Sequence, residues 1–431
     1  MNRTLVSEVK HHIGENIMLQ GWIHQIRPLG KINFVILRDR TGIVQTIVLD
    51  PKIDISGLER ESAITIYGKA KTEKQAPGGF EVEVTGIEVI EKAIPPLPFE
   101  INRATELTNV KIDTILDHRP FSLRNPELAS IFRVQAEIVR AFADFLRADG
   151  FLQMHTSKII SAGTEGGTNL FPIQYFEQTA YLAQSPQFYK QMMVGAGYER
   201  VFEIGFVYRA EDHATSRHIN EYLSLDFEMG FIESEQDVIN QEIKLLKYIF
   251  ASLRKNCEAE LKLHKVELPE FEMIPQIRLA DAIKIIKEKF GKNLEIENDL
   301  DPEGERLICE YTQKEFNSDF VYITHYPASG RPFYTMPTEA GLTKGFDLLY
   351  KGLEVTTGSQ RINNYEMLVD NMKKFGLEPE NFEFYLEIFK FGMPPHGGLA
   401  IGTERLTQQI LNLKNIREAS LFPRDRYRLT P

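Results

Sequence analysis

In the stretch 206–221, FVYRAEDHATSRHINE, arginines at 209 and 217 flank a carboxylate at 211, with His218 directly after the second arginine. Two guanidiniums form a planar, permanently charged fork for a polyphosphate, and Glu211 can accept from an exocyclic amine such as that of adenine. Such a set would hold ATP. Taken alone, the same residues also describe a solvated, charge-rich hairpin. A second stretch, 397–406 (GGLAIGTERL), reads as a short apolar strand entering a helix. Gly402 marks a place where backbone must come close to something. Arg405 falls in the first helical turn, where a cation opposes the helix dipole unless an anion is bound nearby.

Together the two stretches resemble motifs 2 and 3 of the class II aminoacyl-tRNA synthetases. The flanking runs 184–190 (QSPQFYK) and 358–361 (GSQR) resemble the amino-acid pocket of aspartyl-tRNA synthetases of the archaeal type, and the likeness extends to Pro431. The resemblance implies synthesis of an acyl-adenylate, which needs a carboxylate in line with the α-phosphate, neutralised phosphates and a bridging metal, but no protein nucleophile. It assigns Arg209 to the α-phosphate and substrate carboxylate, and Glu211 to adenine beside Ala210. Arg217 and His218 go to the outer phosphates, with Ile219 in the same ATP-binding set, and Arg405 to the γ-phosphate beside Gly402, Thr403 and Glu404. Glu354, with the Thr357 hydroxyl, becomes the Mg²⁺ candidate, since hard oxygens suit that ion.

Substrate choice follows from charge. A bound side-chain carboxylate demands cationic donors, whereas a carboxamide would leave such cations unpaired. Lys190 and Arg361 supply two cations where asparaginyl relatives generally lack the lysine, which favours L-aspartate. By the same resemblance Glu165 receives the substrate ammonium, Thr357 joins the aspartate set, and Gln187 and Ser185 shape the floor. An asparaginyl synthetase, an amide ligase and a catalytically dead RNA-binding paralogue are the rivals. Lys190, the N-terminal module and the intact charged set speak against them in turn.

These residues need a large scaffold. The chain has 431 residues, enough for two domains, with 42% hydrophobic and 26% charged residues and a formal net charge of −11. That surplus argues against a general nucleic-acid binder, but not against a protein reading one RNA through a local basic surface. Cys257 and Cys309 have no CxxC partner, and neither a membrane span nor a secretory signal is evident, so a cytoplasmic location is expected.

From about residue 15 to 92 short apolar runs alternate with turns at Gly30, Gly42 and 77–79, which predicts a five-stranded closed barrel; by pattern alone an OB-fold and another small β-barrel fit equally, and the resemblance implies the OB-fold. The proline-rich 94–98 ends it. Residues 1–102 are expected to form the barrel domain and 103–124 a linker. Residues 125–431 are expected to form a class II catalytic domain, an antiparallel sheet flanked by helices, with a helical insertion at about 232–320. The chain is thus a multidomain α/β protein with an all-β N-terminal barrel. A helix starting at Asn125-Pro126 and closed by Gly150, then a strand over 151–160, resembles motif 1, the dimer element, and so implies a homodimer. Ser157 stands where the family normally has proline.

A barrel of this kind reads unstacked bases by stacking and edge contacts. Phe34 and Gln45, with Arg27 and Arg38 nearby, are placed at the central anticodon uridine. His24 stands where discriminating relatives tend to carry tryptophan, and Pro77 where they tend to carry lysine. The resemblance therefore implies an enzyme that charges tRNA(Asp) and tRNA(Asn) alike, with an amidotransferase as a partner downstream.

Overall fold

The computed structural model describes residues 2–30, 32–102, 107, 109–163, 170–212, 215–294, 298–338 and 340–431. Contacts divide the chain into two compact units, Met1–Pro126 and Glu127–Pro431.

In the first unit the period-2 alternation folds as expected. Strands β1 (Asn16–Leu29), β2 (Ile32–Asp39), β3 (Gly42–Val48), β4 (Ala63–Thr72) and β5 (Phe80–Glu91) close a barrel in the order β1-β2-β3-β5-β4. Closure leaves no unpaired edge, and Leu19, Val35, Leu37, Ile64 and Val82 fill the interior. β1 carries an irregularity between Ile23 and Gln25, so His24 drops out of the pairing with β2.

The second unit is built on an eight-stranded sheet ordered β12-β13-β14-β15-β16-β11-β10-β6. Its strands are β6 (Leu152–Gln153), β10 (Arg200–Tyr208), β11 (Glu221–Gly230), β12 (Gln276–Arg278), β13 (Phe320–Thr324), β14 (Gly345–Tyr350), β15 (Leu353–Gln360) and β16 (His396–Gly402). The six central strands are antiparallel, and only the outermost pairs, β12/β13 and β10/β6, run parallel. A smaller sheet joins β7 (Ile159–Ile160), β9 (Gln178–Leu182) and β8 (Pro172–Tyr175).

Helix α1 (Pro126–Ala148) buries Ile131, Val134, Ile138, Phe142 and Leu146 along one stripe. Gly150, at φ +80°, then turns the chain in a conformation that favours glycine. The segment after it departs from expectation. Instead of one strand over 151–160, only β6 and β7 form. Between them, the Thr156 amide and hydroxyl both donate to the Glu203 carboxylate, at 3.0 and 2.7 Å, and the Ser157 hydroxyl donates to the Ile159 carbonyl at 2.9 Å. These local partners displace ladder pairing.

Among its described residues, the stretch 232–320 carries three long helices. Its first helix, α3 (Glu235–Asn256), is capped by Ser234 and buries Val238, Leu245, Leu246, Ile249 and Leu253 in the same core cluster as α1 and the sheet. The others, α4 (Leu279–Phe290) and α5 (Pro302–Phe316), pack with β13 in a separate cluster. Helix α2 (Gln187–Met193) precedes β10, α6 (Tyr365–Lys374) follows β15, and α7 (Thr403–Leu411) continues directly from β16. No helix among the described residues is long and apolar enough to cross a membrane.

One buried group makes this core sensitive to pH. Glu242 of α3 is fully buried, accepts the Tyr322 hydroxyl at 2.9 Å, and has its pKa pushed up to about 7 by desolvation. Between pH 4.5 and 7 the unfolded chain releases this proton while the folded chain keeps it, so stability falls as pH rises through that window. Denaturation midpoints measured from pH 5 to 8 should therefore decline more steeply in wild type than in Glu242→Gln, with the variant gaining about 2–3 kcal/mol relative to wild type at the alkaline end.

Candidate active site

Register places the chemistry on one face of the central sheet. Asp226 of β11 is level with Ala400 of β16, which is level with Thr357 of β15, itself opposite Asp347 of β14. Two residues further along, Glu228, Gly398 and Ser359 make the next row. Period-2 alternation points both rows the same way, and Asp226, Ala400, Thr357 and Ser359 of these rows line a cleft of about 270 Å³.

At the bottom of the cleft lie two buried cations. Lys190, from α2, donates to Asp226 at 2.9 Å and to the Leu399 carbonyl at 3.1 Å, with Glu228 3.5 Å away. Arg361, just beyond β15, donates through Nε to Glu228 at 2.9 Å, through Nη1 to Ser359 Oγ at 2.6 Å and through Nη2 to the Gly398 carbonyl at 2.9 Å. Despite complete burial, these cations hold the Glu228 carboxyl below its ordinary pKa. The nearby His396 is depressed to about 4 by burial, and accepts from or donates to Gln191 at 2.8 Å, so it adds no cation here at neutral pH. Gln187 also lines the floor; its Nε2 is buried without a hydrogen-bond partner among the described residues, as a site for a polar ligand requires. Ser185 Oγ accepts the Gln187 amide at 3.3 Å.

The rim carries the second charged set. Arg209 follows β10, and its guanidinium lies over the Tyr222 ring, 5.8 Å from the centroid. Glu211 and His218 approach to 3.7 Å, and burial lowers the His218 pKa. Arg217 pairs with Glu305. Arg405, at the start of α7, donates to the Glu354 carbonyl at 3.1 Å and its carboxylate at 3.3 Å, while the Thr357 hydroxyl donates to that carboxylate at 3.0 Å. Glu354 and Thr357 thus present adjacent hard oxygens at the cleft, a fit to Mg²⁺ if phosphate oxygens and water complete the shell. Ile219 is buried, and Ala210 half-buried beside Glu211.

Two assignments on α7 look different in three dimensions. Glu404 is taken up by the sheet: both its oxygens accept the Leu223 amide, at 3.2 and 3.1 Å, and burial raises its pKa to about 8. It braces α7 on β11. The Thr403 hydroxyl is buried without a partner among the described residues. A Cβ at Gly402 would meet only Arg405 side-chain atoms at 3.7–3.8 Å, so no tight approach within the protein itself requires glycine there. Gly398 is such an approach: a Cβ would lie 2.1 Å from the Phe227 carbonyl and 2.3 Å from Glu228 Oε2. Glu165 lies outside the described residues.

The barrel residues are arranged within the first unit. Arg27, Phe34 and Ile47 form one cross-strand row on the outer face, and Gln25, Ile36 and Gln45 the next. Arg27 is exposed, Phe34 half-buried, and Gln45 donates to Glu81 at 2.8 Å. Pro77 is exposed at the β4–β5 turn. Neither His24 nor Arg38 is presented outward. Arg38 is gripped by both oxygens of Glu61, and it meets His24 Nδ1 at 3.1 Å; burial and that neighbouring cation lower the His24 pKa.

Sequence reading missed Asp226, Glu228 and Glu305, the partners of the cleft cations, because a carboxylate in a strand or helix carries no local sign of its partner. It also missed the C-terminal segment. The Asn220 amide donates to the Arg424 carbonyl at 2.7 Å, the Ile416 amide to the Ser216 carbonyl at 2.9 Å, and Arg426 pairs with Asp212. Residues 416–426 therefore hold the loop that carries Arg209, Glu211, Arg217 and His218.

Comparison with known proteins agrees with this arrangement. Residues 111–426 match the family model of class II tRNA synthetases (D, K and N), and residues 17–90 that of the OB-fold nucleic acid binding domain. The chain is 48% identical to an aspartate–tRNA(Asp/Asn) ligase of Deinococcus radiodurans, covering 100% of this chain and 99% of the relative. It is 42% identical to an aspartate–tRNA(Asp) ligase of Pyrococcus abyssi, covering 99% and 98%. A crystal structure of asparaginyl-tRNA synthetase from Pyrococcus horikoshii complexed with asparaginyl-adenylate superposes with a TM-score of 0.93 at 29% identity, covering both chains fully. A sheet face carrying paired cations, a barrel with an outward-facing row and matches spanning the whole chain converge: the protein belongs to the class II aminoacyl-tRNA synthetases of the aspartate, lysine and asparagine group.

Proposed function

We propose that the protein activates L-aspartate with ATP and transfers it to tRNA(Asp) and tRNA(Asn). The observation that carries this reading is that one cleft holds both charged sets: Lys190 and Arg361 buried at its floor, and Arg209, Arg217 and Arg405 at its rim. In the first step the aspartate α-carboxylate attacks the α-phosphorus of ATP, forming aspartyl-adenylate and releasing pyrophosphate. The tRNA terminal hydroxyl then attacks the acyl carbon and AMP leaves. Arg209 orients the α-phosphate against the carboxylate, Arg217 and Arg405 take the outer phosphates, and Glu211 accepts from the adenine amine. Lys190 and Arg361 hold the side-chain carboxylate, and Glu165 the ammonium. Mg²⁺, held by Glu354 and Thr357, would neutralise and align triphosphate oxygens when bound.

The choice of aspartate rests on the floor. Two cations there already meet two carboxylates, and the bonds of Arg361 to Glu228, Ser359 and the Gly398 carbonyl leave one Nη1 N–H for a third carboxylate, which must share the other donors with Asp226 and Glu228. Charging of both tRNAs is supported by the names of the relatives, of which the Asp/Asn form belongs to proteins at 42–48% identity and the Asp form to proteins at 40–42%. On the RNA side we assign the Arg27, Phe34 and Gln45 face to the anticodon, with His24 acting through Arg38 and Pro77 from its turn. We further propose residues 1–102 as the anticodon module, 103–124 as linker and 125–431 as the catalytic domain, a homodimer, a cytoplasmic location, and an amidotransferase acting on aspartyl-tRNA(Asn).

Removing either Arg405 or Arg209 as alanine should abolish aspartate-dependent pyrophosphate exchange while the thermal melt stays that of a folded protein; wild-type exchange in either variant rules out the phosphate site.

At the floor, Lys190→Met leaves Asp226 and Glu228 without their shared cation and should cost about 3 kcal/mol or more in aspartate activation, with ATP binding unchanged. Adding Asp226→Asn should restore stability without restoring aspartate use. An equal fall in ATP binding would move Lys190 to the phosphate site.

For tRNA choice, His24→Trp with Pro77→Lys should depress charging of a GUU anticodon relative to GUC, by about 1–3 kcal/mol for each new interaction with the third base, with adenylation intact. Rejection of tRNA(Asn) by the wild type would overturn the dual-specificity reading, and equal charging by the double variant would place the determinant elsewhere in the barrel.

A further inference from the structure

Helix α5 contributes a carboxylate to the phosphate site that no motif supplies. Asp301 caps the helix by accepting the Gly304 amide at 2.7 Å, which fixes the first turn and sets Glu305 on the side facing the cleft. An acidic residue near a helix N-terminus is favoured by the dipole. The Glu305 side chain is only 12% exposed, and one of its oxygens, Oε2, does two things. It pairs with Nη2 of Arg217, on the loop before β11, and it accepts the backbone amide of Glu354, on β15, at 3.2 Å. Glu354 in turn binds Arg405 through both its carbonyl and its carboxylate. Two rim cations, from two separate elements, are therefore tied to each other through Glu305 and Glu354.

We propose that Glu305 is a positioning residue for the triphosphate, holding Arg217 aimed into the cleft before ATP arrives. Arg217 sits on a loop, and a long side chain on a loop loses rotamer freedom when it binds a phosphate; fixing it beforehand removes that cost. A guanidinium has five N–H donors in a rigid fork, so engagement of Nη2 by Glu305 leaves Nη1 and Nε for phosphate oxygens. The opposing effect is that a nearby carboxylate repels phosphate and competes for the arginine. Positioning wins here because the Glu354 amide pins Oε2 to the strand, so Glu305 cannot follow Arg217 toward the ligand. The inference rests on the proposed ATP site.

The test compares wild type, Glu305→Ala, Arg217→Ala and the double variant. Two quantities are read: pyrophosphate exchange as a function of ATP and of aspartate, and direct binding of a non-hydrolysable ATP analogue with Mg²⁺ by titration calorimetry. Glu305→Ala should weaken analogue binding and raise the KM for ATP about tenfold, with the KM for aspartate within about twofold of wild type. In the Arg217→Ala background the same change should add no further loss, because Glu305 acts through that arginine. Should the alanine variant fail to fold, the isosteric Glu305→Gln replaces it and should weaken analogue binding in the same direction. Unchanged or tighter ATP binding without Glu305 would make it a competitor for Arg217 and overturn the proposal. So would an additive loss in the double variant. Absence of aspartate-dependent exchange in the wild type would instead overturn the functional reading itself.

Discussion

Four charged side chains buried in one sheet, Lys190 with Asp226 and Arg361 with Glu228, set the terms for everything around them. Ions taken out of water are tolerated only when paired and fully hydrogen-bonded. The local structure is arranged to do that. The strand register brings Asp226 and Glu228 onto the same face, two residues apart on β11. Gly398 lies beside Glu228, and any side chain there would displace its carboxylate or the Phe227 carbonyl. Arg361 also takes the Gly398 carbonyl, so that glycine gives up both space and an acceptor to the pair. His396 stays uncharged because burial suppresses its protonation next to Arg361. The floor that results is buried, with each cation paired to a carboxylate.

The rim follows a different rule. Its cations are half-exposed, come from loops and helix starts, and are held by carboxylates from distant parts of the chain: Glu305 for Arg217, Glu354 for Arg405. Exposed ion pairs contribute little to stability, so these pairs matter mainly for orientation. The C-terminal segment extends the same principle to backbone, holding the 209–220 loop through main-chain bonds at Ser216 and Asn220. A loop tethered at these points can carry several charged groups without each being separately buried. Core and rim are thus built differently, the first from fully buried ion pairs and the second from half-exposed ones.

Within the barrel unit, the departure from a regular ladder at His24 is the informative feature. The irregularity in β1 removes His24 from the row that continues Arg27 and Gln25 and turns its ring onto Arg38, which Glu61 clamps from the other side. Glu61 itself sits at φ +65°, an uncommon conformation for a residue with a side chain. The His24 imidazole is thus engaged with a buried cation–carboxylate pair. Phe34 and Arg27, one step along, remain on the accessible face.

Local sequence was enough to specify the barrel strands, the long helix at Pro126–Ala148, the strand-to-helix element ending in Arg405, and the cations of both charged sets. Each of these is short-range: a period-2 or 3.6-residue repeat, a capping proline, or a compact motif whose residues act together wherever they are placed. The strand expected over 151–160 dissolved into two fragments because Glu203, more than forty residues away, supplied better partners for Thr156. Over 232–320 helical periodicity says that a face is buried, not against what; only packing showed that α3 lies in the main core and that α5 brings Glu305 to Arg217. Likewise Lys190 and Arg361 were visible as cations, but their carboxylates were not, since an ion pair between β11 and α2 leaves no spacing to read along the chain. Which charges meet was left to the folded chain, because the cost of burying a charge is settled by neighbours in space and those neighbours come from anywhere in the sequence.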